Sequence, residues 1–167
     1  INIPKFDKSI DDRCKKNNWF KLKKKPDILI LEGWCVGAKP ENSKSLNRPI
    51  NVLEKNADNK KIWRSYVNNQ LKSKYSKLFD QLDSLLYLKA KNFKLLKRWR
   101  LKQEKKLKMK SGTKKNSKIM NEKEVETFMM TYQRITQNMF KYTPKYSSAV
   151  IDLNEKHQIK KVRFKHA

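Results

Sequence analysis

An apolar run, Ile28-Leu29-Ile30-Leu31, sits between Pro26-Asp27 and Glu32-Gly33-Trp34. Apolar residues that do not alternate with polar ones predict a strand buried on both faces, as in a parallel α/β sheet. The run places Glu32 at the carboxyl end of that strand, where ligands sit in open parallel sheets. Leu85-Leu86-Tyr87-Leu88, within 84–90, and Ala149-Val150-Ile151-Asp152-Leu153 predict further strands, with a weaker one at Val162-Arg163-Phe164 after a turn at 154–157.

Between them the period changes. Ile62, Trp63, Tyr66, Val67, Gln70 and Leu71 recur at helical spacing behind Asp58 as N-cap, and Tyr75, Leu78, Phe79 and Leu82 continue the face as one long helix or two. Asn92 caps a helix bearing Phe93, Leu95, Leu96, Trp99 and Leu107. Asn121 with Glu124 forms a capping box ahead of Val125, Phe128, Met129, Tyr132, Ile135 and Met139, and Pro144 ends that helix. The order of elements predicts one α/β domain over 1–167 with a parallel core and no internal repeat. Residues 14–25 read as an exposed connection in hairpin form, and 110–118 as a flexible basic loop.

Composition changes this picture in one respect. A formal charge of +26 would ordinarily point to nucleic acid or an anionic membrane. Yet arginine occurs only at 13, 48, 64, 98, 100, 134 and 163, and the remaining cations are lysines scattered along solvent faces. Bidentate gripping of phosphates and base edges favours arginine, so a solvated lysine exterior is preferred over nucleic-acid binding. No apolar stretch is long enough to span a membrane and no leader pattern opens the chain, so a cytoplasmic protein is expected. Cys14 and Cys35 are too few for a metal site or a disulfide framework.

Several chemistries are unsupported. His157 and His166 lie in the lysine-rich tail, no Ser or Cys has a glycine-elbow context, and no His/Cys/Asp spacing suits zinc. The phosphate loop G-x-x-x-x-G-K-[ST] is absent, since the three glycines are Gly33, Gly37 and Gly112. What remains is Glu32, an acidic-basic cluster at Asp7, Lys8, Asp11, Asp12 and Arg13, and a helix carrying Arg98 and Arg100. Such a set suits phosphoryl transfer, in which the protein holds magnesium and neutralises phosphate charge. Arg100 falls on the apolar face of its helix with Glu104 one turn on; spacing favours an i,i+4 pair over an arginine aimed at an anionic ligand. Gly33 and Gly37, directly after the predicted strand, allow close backbone approach and are the expected cofactor-side positions.

Phe6-Asp7-Lys8-Ser9 with Asp11-Asp12-Arg13, then Leu31-Glu32-Gly33-Trp34-Cys35-Val36-Gly37, then Trp63-Arg64-x-Tyr66-Val67-Asn68, then Arg98-Trp99-Arg100-Leu101-x-Gln103-Glu104, together resemble the D-glycerate 3-kinase and related P-loop kinase family, akin to uridine kinase and phosphoribulokinase. The resemblance runs through nearly the whole chain, and Glu-Gly-Trp and Arg-Trp-Arg are its most specific parts. It implies a three-layer α/β fold with a parallel sheet, ATP and Mg2+ as cofactors, and a small-molecule acceptor, D-glycerate first. It implies too that Glu32 stands at a Walker B-like position near magnesium, directly or through water, and that Asp7, Lys8, Asp12 and Arg13 line the acceptor side. Arg98 and Arg100 would belong to a lid. The family's first strand and phosphate loop would lie before Ile1, so an inactive C-terminal portion of such a kinase is expected. The alternatives are a lysine-rich nucleic-acid-binding protein or a pseudo-kinase interaction module on the same scaffold.

Overall fold

The computed structural model describes residues 1–7, 12–111 and 119–165, without the side chains of 110 and 111. It divides into two compact units, Ile1–Gly33 and Trp34–Ala167.

The first unit contains two short antiparallel pairs. β1 (Asn2–Ile3) pairs with β4 (Phe20–Lys21), and β2 (Phe6–Asp7) with β3 (Asp12–Arg13). The hairpin expected within 14–25 does not form: its one strand, Phe20–Lys21, pairs with Asn2–Ile3 instead, and the segment is tied by Cys14 N–H donating to the Lys5 carbonyl at 2.8 Å and Trp19 Nε1 to the Cys14 carbonyl at 2.8 Å.

The strand predicted over 28–31 does not form. Those residues belong to no strand, and Ile28, Leu29 and Ile30 are 80, 83 and 83% exposed. Hydrophobicity states what a segment gains by burial; a strand also needs a neighbour to take its N–H and C=O groups. No ladder reaches this run among the described residues. Glu32 is accordingly an exposed carboxylate outside any element, not the tip of a buried strand.

The second unit is built on a three-stranded sheet in the order β5 (Leu86–Lys89), β6 (Ala149–Leu153), β7 (Ile159–Phe164). β5 and β6 are parallel, with Leu86 opposite Ala149; β6 and β7 are antiparallel, with Ala149 opposite Phe164. The sheet is thus mixed rather than wholly parallel. The reason is the five-residue connection at 154–158, where Asn154 Oδ1 accepts the Lys156 and Gln158 N–H groups; a connection that short can only reverse the chain. The β5–β6 pair, by contrast, is joined by a long helical crossover.

That crossover is α4 (Phe93–Ser111) followed by α5 (Glu122–Tyr142). Asn92 Oδ1 accepts the Leu95 N–H at 2.9 Å, and Asn121 with Glu124 closes the full capping box at 3.0 and 2.7 Å. Leu95, Val125 and Met129 are buried on these two helices. Lys110 and Ser111 continue the α4 backbone, and the rest of the predicted basic loop lies outside the described residues. A second cluster joins Ala38, Leu71 and Met139, with Cys35, Tyr87 and Ile135 packed on it.

Ahead of the sheet come a 3-10 turn at Ser43–Asn47, α1 (Val52–Ala57), α2 (Ile62–Gln70), a π-helical turn at Leu71–Tyr75 and α3 (Ser76–Phe79). Asp58 caps α2, though from three residues before its first cap position: its carboxylate takes the Trp63 N–H at 2.8 Å and the Arg64 N–H at 3.0 Å.

Tyr87 yields a measurable consequence. Burial, with a smaller contribution from Tyr146, pushes its phenol up to about 12 from an ordinary 10. A raised value means the native state prefers the neutral phenol. Its contribution to stability is complete below pH 10 and is lost as pH rises from 10 towards 12. Tyr87→Phe should flatten that alkaline loss, as followed by urea midpoints at pH 9 and 11.

Candidate functional site

The second unit contains a cleft of about 210 Å3 between the 39–48 loop, α1, α2 and one face of α5. α5 makes it possible by having two working faces. Val125, Met129 and Met139 turn into the core, while Met130, Arg134 and Asn138, spaced by four, line the cleft.

Arg134 is the hub of this wall, with only 10% of its side chain exposed. Its Nε donates to Glu54 Oε1 at 2.7 Å and its Nη2 to Glu54 Oε2 at 2.6 Å, a bidentate pair; Nη2 donates also to the Arg48 carbonyl at 2.8 Å. Nη1 makes only long contacts, 3.5 Å to each Glu41 carboxylate oxygen and 3.4 Å to the Ser45 carbonyl. Glu54 is held from its own side as well, accepting the Ile50 N–H at 3.0 Å. Burial alone would raise its carboxyl, but the Arg134 hydrogen bonds and the Ile50 N–H outweigh that and hold it below the usual carboxylate range.

A second buried arginine faces the same space. Arg64 is 4% exposed and donates through Nε to the Leu46 carbonyl at 2.7 Å and through Nη1 to Asp58, carboxylate and carbonyl both. Burial again acts upward on the Asp58 carboxyl, and the Arg64 and Trp63 N–H groups with the Arg64 guanidinium bring it below its ordinary value. Seating Arg64 inward rotates α2 relative to the face predicted for it. Arg64 and Leu71 are buried, whereas Ile62, Trp63 and Tyr66 are largely exposed, the last two stacked at 5.7 Å. Asn68 fastens the loop to α2 by exchanging hydrogen bonds with the Glu41 backbone at 2.7 and 3.0 Å.

The residues singled out by sequence lie elsewhere. Asp7 and Asp12 are cross-strand partners in the first unit, Arg13 faces Phe6 across the same ladder, and Lys8 and Asp11 fall outside the described residues. Arg98 pairs with Glu155 at 3.3 Å with both groups exposed. Arg100 pairs with Glu104 at 2.6 Å, as spacing favoured, and its guanidinium stands 5.1 Å from the Phe128 ring. Gly37 does permit a close approach, but to the chain's own Leu85: at φ +76° a Cβ there would lie 2.6 Å from a Leu85 methyl. Gly33 is exposed at the end of the first unit. Among the described residues no group of three His, Cys, Asp or Glu side chains is arranged to hold a metal ion, and no helix is long and apolar enough to cross a membrane.

Sequence reasoning passed over Glu41, Glu54 and Arg134. The pattern Asn-x-x-Glu at Asn51 and Glu54 repeats the spacing of Asn121 and Glu124, and Asn51 does cap α1, its Oδ1 accepting the Glu54 N–H at 2.9 Å. That spacing was the available signal.

No family model matches the chain. It is 33% identical over 138 residues, 79% of its length, to the uncharacterized kinase mug58 of Schizosaccharomyces pombe. Across 98% of its length it superposes on D-glycerate 3-kinase from Cryptococcus neoformans var. grubii with a TM-score of 0.70 at 23% identity. The chain has the P-loop kinase fold of D-glycerate 3-kinase. A second solved structure, the YGR205w protein, matches over 98% of the chain with a TM-score of 0.65 at 25% identity. The resemblance carried by the four motifs and the α/β class agree with these matches. The chain spans 47% of the length of mug58 and 59 and 57% of the two solved chains, so about half of each.

Proposed function

We propose that this chain serves ATP-dependent phosphoryl transfer to a hydroxyl of a small acceptor, with D-glycerate the first candidate, and that these 167 residues alone are inactive. The observation that supports the reading is the likeness to a D-glycerate 3-kinase along 98% of the chain, alongside 33% identity to a kinase. Inactivity rests on the glycines: with Gly33, Gly37 and Gly112 only, no phosphate loop can be written, so the cradle for the β- and γ-phosphates is not among these residues.

In this reading Glu32 faces Mg2+, whose charge would offset that of the transferring phosphate. Asp7, Lys8, Asp12 and Arg13 serve the acceptor side. Arg98 and Arg100 supply positive charge to the phosphates, each exchanging a carboxylate for a phosphate oxygen. Arg98 is the readier of the two: its Glu155 partner is exposed and such a pair contributes about 0–1 kcal/mol. Arg100 must leave a Glu104 that is 6% exposed.

Coupled ADP release with a panel of hydroxy acids tests the proposal. The chain alone should be silent, and the chain fused behind the phosphate-loop portion of D-glycerate 3-kinase should turn over D-glycerate. Arg98→Ala should then lower kcat about tenfold. Silence of a folded, ATP-binding fusion towards every acceptor would remove the kinase reading. A nucleic-acid-binding role is the second reading, favoured by the +26 charge. It would draw mainly on lysine, since lysines far outnumber arginines and Arg64 and Arg134 are buried in ion pairs.

A further inference from the structure

One turn of α4 is gripped from outside the helix. Trp99 Nε1 donates to the Glu155 carbonyl at 2.9 Å, and the His157 ring lies on the indole with 4.0 Å between ring centroids and 31° between planes. The neighbouring Arg98 reaches the Glu155 carboxylate at 3.3 Å. All three contacts come from the short connection between β6 and β7, and that connection is stiff. Asn154 Oδ1 accepts the Lys156 and Gln158 N–H groups, Asn154 Nδ2 donates to Gln158 Oε1 at 3.0 Å, and His157 N–H donates to the Asn154 carbonyl at 3.1 Å. His157 closes the turn at φ +65°, a left-handed conformation that glycine or asparagine adopts at less cost. A turn that only has to reverse the chain gains nothing from histidine there. The ring on Trp99 is what this residue adds, and an aromatic contact offsets the backbone penalty.

We propose that Glu155 and His157 are positioning residues, which clasp Trp99 and thereby fix where Arg98 stands towards a phosphate group. Successive residues of a helix share one regular backbone, so fixing the indole fixes the rotation of the turn from which Arg98 projects. The clasp also divides Glu155 into two parts. Its carbonyl is committed to Trp99, whereas its carboxylate forms an exposed ion pair with Arg98, weak enough for a phosphate oxygen to replace. Arg98 thus changes partner while the turn that carries it stays in place, and the Glu155 carboxylate is a built-in competitor that keeps Arg98 occupied until the phosphate arrives. The part given to Arg98 rests on the kinase reading; the clasp on Trp99 does not.

His157→Asn keeps the left-handed turn and removes the ring. In the 167-residue chain, the indole N–H of Trp99, assigned by its loss in Trp99→Phe, should exchange with solvent about fivefold faster in H157N. Unchanged exchange would overturn the clasp, since a histidine serving the turn alone leaves the indole untouched. In the kinase fusion, H157N should lower kcat by about threefold to tenfold, the loss expected for R98A being the ceiling. The double variant R98A/H157N should be no slower than R98A, because both act through Arg98; additive losses would overturn the positioning role. Trp99→Phe, which removes the indole donor and keeps a ring for His157, should give a kcat loss that R98A masks in the same way, and it keeps the test readable should H157N lose stability. Glu155→Gln, which keeps the carbonyl and removes the competing charge, should lower the KM for ATP about threefold; a KM that stays or rises removes the competitor. Silence of the fusion removes the kinase reading and leaves the indole result standing. Turnover of the fusion with a kcat indifferent to H157N and W99F removes the positioning role and keeps the kinase.

Discussion

Arg134→Met is expected to destabilise the second unit by about 3–5 kcal/mol, the cost typical of breaking a buried ion pair from one side. Methionine matches the arginine stem in bulk, so the loss is electrostatic rather than a packing void. It strands Glu54, which is 9% exposed and keeps only the Ile50 N–H as a partner, and it frees the Arg48 carbonyl. The sign of the pH dependence should also reverse. In the parent, Glu54 sits below the usual carboxylate range, so its contribution is present above the ordinary value and is lost as pH falls through the depressed one. Without Arg134, burial is the dominant influence left on that carboxyl and raises it, so stability should fall as pH climbs from 4 to 7. Urea midpoints across that range separate the cases. The double variant R134M/E54L, which removes both charges, should recover most of the loss; equal stability of R134M and the parent at pH 7 would show that the pair does not hold the cleft together.

How far the sequence foretold this arrangement depended on whether a feature was local. Asn92, Asn121 and Glu124 act within one turn of the chain, and their caps are where spacing put them. The strands at 86–89 and 149–153 bring their own partner, because the helical crossover returns the chain beside itself. The run at 28–31 has equally strong hydrophobicity but no neighbouring ladder among the described residues, and pattern alone is silent on that. The cleft was invisible for a different reason. Glu41 and Glu54 meet Arg134 across 93 and 80 positions, and nothing in periodicity pairs groups at that separation. Arg64 shows the related failure: a buried charge overrides the apolar face of its helix when fixed acceptors, here Leu46 and Asp58, await it.

Gly37→Ala should cost about 2–4 kcal/mol, and two separate effects contribute. At φ +76° an L-residue carries a left-handed backbone penalty of about 1–2 kcal/mol. The new methyl must also displace Leu85, whose Cδ2 and Cδ1 would lie 2.6 and 2.9 Å away, and overpacking of that kind costs about 1–3 kcal/mol. The turn cannot slide aside freely, since the Gly37 carbonyl accepts the Tyr146 hydroxyl at 2.8 Å and burial raises that phenol above its ordinary value. Adding Leu85→Ala to Gly37→Ala should relieve the clash and leave the backbone penalty. Relative to L85A alone, the glycine substitution should then cost about 1–2 kcal/mol. Gly37 was expected to face a cofactor, and the same variant decides between the two roles. A glycine kept for nucleotide approach would show an unchanged urea midpoint and weakened ATP binding in the fused protein. A glycine kept for Leu85 shows the reverse, and the 2.6 Å approach makes that the expected outcome.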